Sequence, residues 1–355
     1  MGLSRSPRTV VATATPAFLG LLLAYLSVSG AACTSRPPAP GPAGLSVTGP
    51  HVAGNLAVYL VRGPDTLHGR TLLALDEALR TGKVVVRETS EVNRLSIENV
   101  SAEPVFLEAG QIVRGGRQDR ALSVDLVVPP HSGALPIDAF CVEHGRWSRR
   151  GDEPEDRFSR SVASMSSREM KLAARKSKVQ EEVWTAVAKE QQKLSRAAGA
   201  DARDPRSPSS MGLTLEGRAV TSRTEPYVHA LEAAPAHAGD VVGCVFAIDG
   251  RLETAEIYGS PALFRDAWRR VLEAAAASAV SASAESATAG PLPTLVEAQR
   301  FLDDSLVGRR SVESVAGRMT LVTIDGPQVV SFESHETTGT HADKDAWLRR
   351  SVVRK

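Results

Sequence analysis

Aromatic side chains are scarce in this sequence, at 5% of its 355 residues. Few stacking platforms for bases follow. Lys and Arg number 42 against 41 Asp and Glu, a formal net charge of +1, so the basic excess on which backbone-phosphate binding relies is missing as well. Nucleic acid is not expected as a partner. Cysteine is nearly absent, with three residues in no zinc-ligand spacing. Hydrophobic residues, by contrast, make up 42% of the chain, enough at this length for a sizeable core and two domains.

The N-terminus has a composition of its own. Arg5 and Arg8 precede an apolar run from Ala17 to Val28, and the small residues Ser29, Gly30, Ala31 and Ala32 follow. This is the three-part build of a secretory signal over residues 1–32. Cys33 comes next, and the segment resembles a bacterial lipoprotein signal in which that cysteine is lipidated after cleavage. Gly30 departs from the leucine usual in that pattern. Ordinary cleavage near Ala32 and retention as an anchor therefore stay open beside lipidation. The Pro/Gly-rich stretch of residues 33–47 suits a semi-rigid tether between anchor and domain. Each alternative puts the folded part outside the cytoplasm, in the cell envelope.

The expected fold is α+β. Residues 48–150 read as a β-sandwich-like domain or partly closed barrel, because short strand-like runs alternate with turn residues. A long amphipathic helix is expected over 157–197, since Val162, Met165, Leu172, Val179, Val183 and Val187 recur at helical steps. A flexible linker over 198–216 leads to an α+β domain over 217–345. That domain holds two hairpins, turning at Asp249-Gly250 and Asp325-Gly326, and an Ala/Ser-rich spacer over 275–290. Residues 346–355 read as a solvated tail. Cys141 and Cys244 lie in apolar strand-like runs and read as buried thiols, with a disulfide as the open alternative.

Polar chemistry concentrates between Glu108 and Trp147. The segment Gly110-Gln-Ile-Val-Arg-Gly-Gly-Arg-Gln-Asp-Arg120 lacks the Lys-Ser/Thr pair of a nucleotide-triphosphate loop. Its bland reading is a turn that needs glycine at Gly115 or Gly116. The functional reading is an anion cradle formed by Gly115, Gly116, Arg117, Gln118, Asp119 and Arg120, with Arg114 beside it and Arg146 joining from the segment Cys141-Val-Glu-His-Gly-Arg-Trp147. Glu108, Asp119 and Glu143 are the acid–base candidates. Thiol catalysis by Cys141 would need a base in contact, which adjacency to His144 does not supply. His335, Glu336, His341 and Asp343 do not have the spacing of a helical metal motif and read as a solvated loop. No metal and no cofactor is expected.

Three stretches together resemble the ARPP domain family, the ADP-ribosylglycohydrolase and rhodanese-phosphatase associated proteins. They are the Gly110–Leu122 segment, the Cys141–Trp147 segment, and the Val242–Gly250 hairpin with the helix around Phe264 to Trp268. The resemblance spans about residues 50 to 340. It implies, by association alone, ligands related to ADP-ribose or NAD, and it carries no particular reaction. Two function classes follow. One is an envelope binding module for an anionic small molecule or a protein partner, attached to the membrane through lipid on Cys33. The other is a hydrolase or transferase acting on an anionic, ADP-ribose-like substrate.

Overall fold

The computed structural model describes residues 1–2, 41–236, 239–285, 290–337 and 346–355. The signal segment, Cys33 and most of the tether lie outside the described residues. Along the chain, β1 (Ser46–Ala53) and β2 (Leu56–Arg62) form a first hairpin, and β3 (Leu73–Ala74) runs straight into α1 (Leu75–Arg80). There follow β4 (Val84–Glu91), β5 (Arg94–Asn99), β6 (Val105–Leu107), β7 (Gln111–Gly115), β8 (Arg120–Leu122), β9 (Leu126–Val128), β10 (Ala134–Cys141) and β11 (Arg157–Ser164). The helix α2 (Arg168–Leu172) passes into a π-helical turn (Ala173–Ser177) ahead of α3 (Gln180–Ala198), α4 (Met211–Glu216) and α5 (Arg218–Leu231). The hairpin β12 (Val241–Ile248) and β13 (Arg251–Tyr258) precedes α6 (Pro261–Ser283) and α7 (Leu295–Asp304). Four strands close the chain: β14 (Arg309–Val315), β15 (Met319–Asp325), β16 (Val329–Glu336) and β17 (Ala346–Arg354).

These elements build an α+β fold whose layout differs from the expected one. The strands β10, β5, β4, β11, β7 and β8 close into a barrel, the second of the two forms expected for residues 48–150, rather than stacking as a sandwich. Closure leaves no free sheet edge among them. The first hairpin does not belong to that barrel. It pairs with β12, extending an eight-stranded sheet in the order β1-β2-β12-β13-β17-β16-β15-β14. Residues 37–355 accordingly form one compact unit rather than two domains.

Five further expectations are corrected. The expected helix over 157–197 starts as strand β11, because β4 and β7 offer it pairing partners on both sides; the π turn and the left-handed Lys178 (φ 56°) then separate α2 from α3. Residues 198–216 are not a flexible linker: they contain α4, with Ser207 and Ser210 buried. Much of the Ala/Ser spacer is helix, since α6 runs on to Ser283 with Ala275, Ala276, Ala277 and Ala279 buried. The supposed tail is β17, paired to β13 on one side and β16 on the other. His335 and Glu336 likewise sit buried in β16 instead of a loop, near Glu333 and paired with Arg70 respectively. His341 and Asp343 lie outside the described residues.

Local signals explain the elements that were foreseen. Asp249 and Gly250 turn the β12–β13 hairpin with φ of 50° and 78°, the doubly positive pair that a tight two-residue hairpin demands. Ser260 caps α6 by accepting from the Leu263 amide, with Pro261 at the first helical position. Thr294 and Glu297 form a reciprocal capping box at α7. Both Cys141 and Cys244 are free and buried. Among the described residues no helix is long and apolar enough to cross a membrane.

Because β17 lies inside the sheet, removal of residues 346–355 is expected to abolish the cooperative thermal transition. A circular dichroism melt of the truncated chain checks this; an unchanged midpoint would return the segment to the status of a tail.

Candidate functional site

The chain brings its two polar segments together. Asp119, in the turn between β7 and β8, accepts from the Gly115 amide at 2.9 Å. Its own amide donates to the Glu143 carboxylate at 2.7 Å. Arg146 grips Glu143 through Nε and Nη2, both at 2.6 Å. It also donates to the carbonyls of Gly115 and Gly116. Arg150, absent from the expected set, donates to both Asp119 oxygens at 2.9 and 3.0 Å. From the α3–α4 connection Ser207 donates to Glu143, and Ser210 to Asp119 at 2.6 Å. Gly115 and Gly116 have φ of 118° and 53°, and a Cβ on Gly116 would run into the Phe158 ring.

This arrangement uses up its own charges. Burial alone would raise the Glu143 carboxyl, but Arg146 and Ser207 hold it below the ordinary range. Arg120 is fully buried and donates to the Gln118 carbonyl and to Glu88, at 2.7 and 3.4 Å. Arg117 lies near Glu155 at 3.3 Å, and its amide donates to Glu88. Both guanidiniums lie under the exposed Trp147 ring, 5.7 and 5.6 Å from its centre. The guanidinium groups of Arg120 and Arg146 are thus spent on carboxylates and carbonyls of the chain itself, whereas that of Arg117 is partly exposed beside Glu155. The motif fastens the end of the barrel to the α3–α4 connection. Burial, the largest influence, pushes the Cys141 thiol up to about 11, and the His144 ring packs on Trp184. That thiol stays protonated and without a base.

Glu108 belongs to a different cluster. It accepts from the Tyr258 hydroxyl at 2.8 Å and is paired with Arg270. Arg349, on β17, donates to Asp125 at 2.8 Å and to Glu256 at 2.7 Å, and its Nε lies 3.5 Å from Glu108. Lys171 donates to the other Glu256 oxygen at 3.0 Å. Burial would raise the Glu256 carboxyl, yet Arg349 and Lys171 bring it down to about 2.

This cluster forms one wall of a cavity of about 380 Å³ between barrel and sheet, within the usual range for small-ligand sites. The π-helical turn, a rare form that recurs at functional sites, places Arg175 in it. That guanidinium stacks 4.2 Å from the centre of the Phe332 ring and comes no nearer than 3.9 Å to Asp125. Among the described residues it makes no hydrogen bond. Burial, then the charge of Arg349, lowers it to about 10. Toward the far end of α6 the cavity is lined by serines and by Glu190, whose carboxylate accepts from Ser281 at 3.0 Å and Ser166 at 3.3 Å. Burial, the dominant influence, raises Glu190 to about 7.

Sequence reasoning missed Lys171, Arg175, Glu190, Glu256, Arg270 and Arg349. Helical periodicity assigns Lys171, Arg175 and Glu190 to a solvated face. Only the apolar residues on both sides of Arg349 and Arg350, Trp347, Leu348, Val352 and Val353, mark this segment as a strand covered on both faces. Among the described residues no group of His, Cys, Asp and Glu is arranged to hold a metal.

Fold and cavity together define a single-unit α+β protein with a charge-lined, ligand-sized chamber between a closed barrel and an antiparallel sheet. Residues 44–352 match the ARG and Rhodanese-Phosphatase-superfamily-associated Protein domain, and the chain belongs to that family. No curated protein and no solved structure matches it.

Two stability tests follow. Arg120→Ala leaves the buried Glu88 without its guanidinium and is expected to cost about 3–5 kcal/mol. Arg117→Ala, at a partly exposed pair, is expected to stay within about 1 kcal/mol. Urea denaturation midpoints separate the two. The second test concerns Glu190, which is raised from an ordinary value of 4.5 to about 7. Between those values the folded state keeps a proton that the unfolded chain has lost. The associated stability is full below about pH 4.5 and is lost as pH rises through about 7. Glu190→Gln should therefore melt above the wild type at pH 8 and lose that advantage near pH 4.5, as read by calorimetry.

Proposed function

We propose that this chain is an exported, lipid-anchored cell-envelope protein whose folded part binds an anionic ligand in the cavity between barrel and sheet. The N-terminal order of Arg5 and Arg8, apolar run, small residues, Cys33 and Pro/Gly tether supports export and anchoring. One observation carries the binding reading: Arg175 is buried at a cavity wall with its hydrogen-bond donors unspent. A planar guanidinium so placed matches a phosphate or carboxylate in two-point contact. Lys171 and Arg349, whose donors go to Glu256 and Asp125, keep the surrounding charge ordered.

The second reading, a hydrolase or transferase acting on an anionic, ADP-ribose-like substrate, draws on the family association and on Glu190. Glu108 and Glu143 are clamped by arginines, as is Asp119. Glu190 instead titrates close to neutrality, where a general acid or base works best.

A thermal-shift series with phosphate, sulfate, NAD and ADP-ribose tests the binding reading on the full chain. A ligand at a hundred times its Kd adds about 2.7 kcal/mol to the native state. At least one anion is expected to raise the melting temperature of the wild type and not that of Arg175→Gln. Equal shifts in both proteins would remove Arg175 from the site, and no shift with any anion would remove the anion reading.

A further inference from the structure

Every other buried carboxylate among the described residues has a cation beside it. Glu108 has Arg270, Asp119 has Arg150, Asp125 and Glu256 have Arg349, and Glu143 has Arg146. Glu333 and Glu336, at the far side of the sheet, have Arg350 and Arg70. Glu190 alone is held by hydroxyl groups, those of Ser166 and Ser281. It sits on α3 facing α6, and Ser164, Ser166, Ser278 and Ser281 stand on the same cavity wall. Ser278 donates to the Ser166 carbonyl. The Ser164 hydroxyl is buried with no partner.

The cavity is therefore chemically two-ended. One end carries the Arg175, Lys171 and Arg349 cations, and the other carries hydroxyl groups, an unpaired carboxyl and the Lys193–Glu285 ion pair.

We propose that Glu190 forms the hydroxyl-binding end of this cavity, so that the ligand is a polyhydroxylated anion, a sugar phosphate or sugar acid, with its anionic group on Arg175 and its hydroxyls on Glu190, Ser164 and Ser278. This rests on the anion-binding reading and adds the ligand's second chemical feature. A carboxyl beside serines both donates to and accepts from sugar hydroxyls when protonated. Once ionised, it places an unpaired negative charge in the chamber and opposes an anionic ligand. The charged groups around it are few: Glu169 on α2, Lys193 on α3, and Glu285 just past α6, which takes up Lys193 at 2.9 Å. Binding is thus linked to one proton, which is retained up to about pH 7 and lost above it.

Calorimetric titration of the full chain tests this with a hexuronate, a hexose phosphate, a hexose sulfate, inorganic phosphate and a neutral hexose. At pH 6 the sugar anions are expected to bind at least about tenfold tighter than inorganic phosphate or the neutral hexose, a difference of about 1.4 kcal/mol. The tighter of hexuronate and hexose phosphate identifies the anionic group. The pH series uses the hexuronate and the hexose sulfate, which keep one charge throughout. Wild-type affinity is expected to fall about tenfold per unit above pH 7, and that of Glu190→Gln to stay flat. A flat wild-type profile overturns the proposal even if the variant fails to fold, as does inorganic phosphate binding as tightly as the sugar anions. If Arg175→Gln loses phosphate while Glu190→Gln keeps the wild-type profile, the anion site stands and its hydroxyl-binding end falls. If the wild type binds no anion, both fall.

Discussion

Arg349 is the residue on which this architecture hinges. It lies on the last strand, and its guanidinium meets Asp125 from the barrel half and Glu256 from the neighbouring strand, with Glu108 close by. Each carboxylate would be expensive to bury alone, and so would the arginine. Their stability is therefore mutual, and it exists only when strands distant in sequence have come together. Hydrophobic clusters supply the bulk of the driving force in both halves. The ionic seam fixes how the halves meet, and the cavity is the space left beside it.

The two charged networks differ in what they leave unspent. Around Asp119 and Glu143 both carboxylates are met from within the chain, with two arginines and two serines converging on the pair. The cavity network differs at Arg175, which makes no hydrogen bond among the described residues, and at Glu190, which has no cation paired to it. Incomplete pairing of buried charge lowers stability, and perturbed buried groups of this kind cluster at functional sites.

Legibility from sequence follows the range of the interactions involved. The Asp249-Gly250 hairpin was readable because those residues carry their own backbone geometry, φ of 50° and 78°. The meeting of the Gly110 and Cys141 segments was only half readable: their residue types were evident, but not that Arg146 would spend its donors on Glu143. Strand β11 was unreadable because Phe158 and Val162 suit a helix as well as a strand, and its pairing partners are supplied by β4 and β7. Ala275 to Ala279 look like spacer by composition, and their burial depends on packing with neighbouring helices. Arg349 and Arg350 look solvated until Glu256 arrives from distant β13 and Glu333 from the preceding strand β16. Arg175 and Glu190 were hidden for the same reason, since a helical polar face says nothing about whether water or a cavity lies beyond it.

The position of β17 bears on how the molecule comes into being. A chain is made from its N-terminus, and domains generally fold as units as they emerge. Here β13 and β16 flank a gap that the final residues fill. Without β17, Glu256 and Asp125 lack the arginine they share and the eight-stranded sheet is split into two pieces, whereas the barrel draws all six of its strands from residues 84–164.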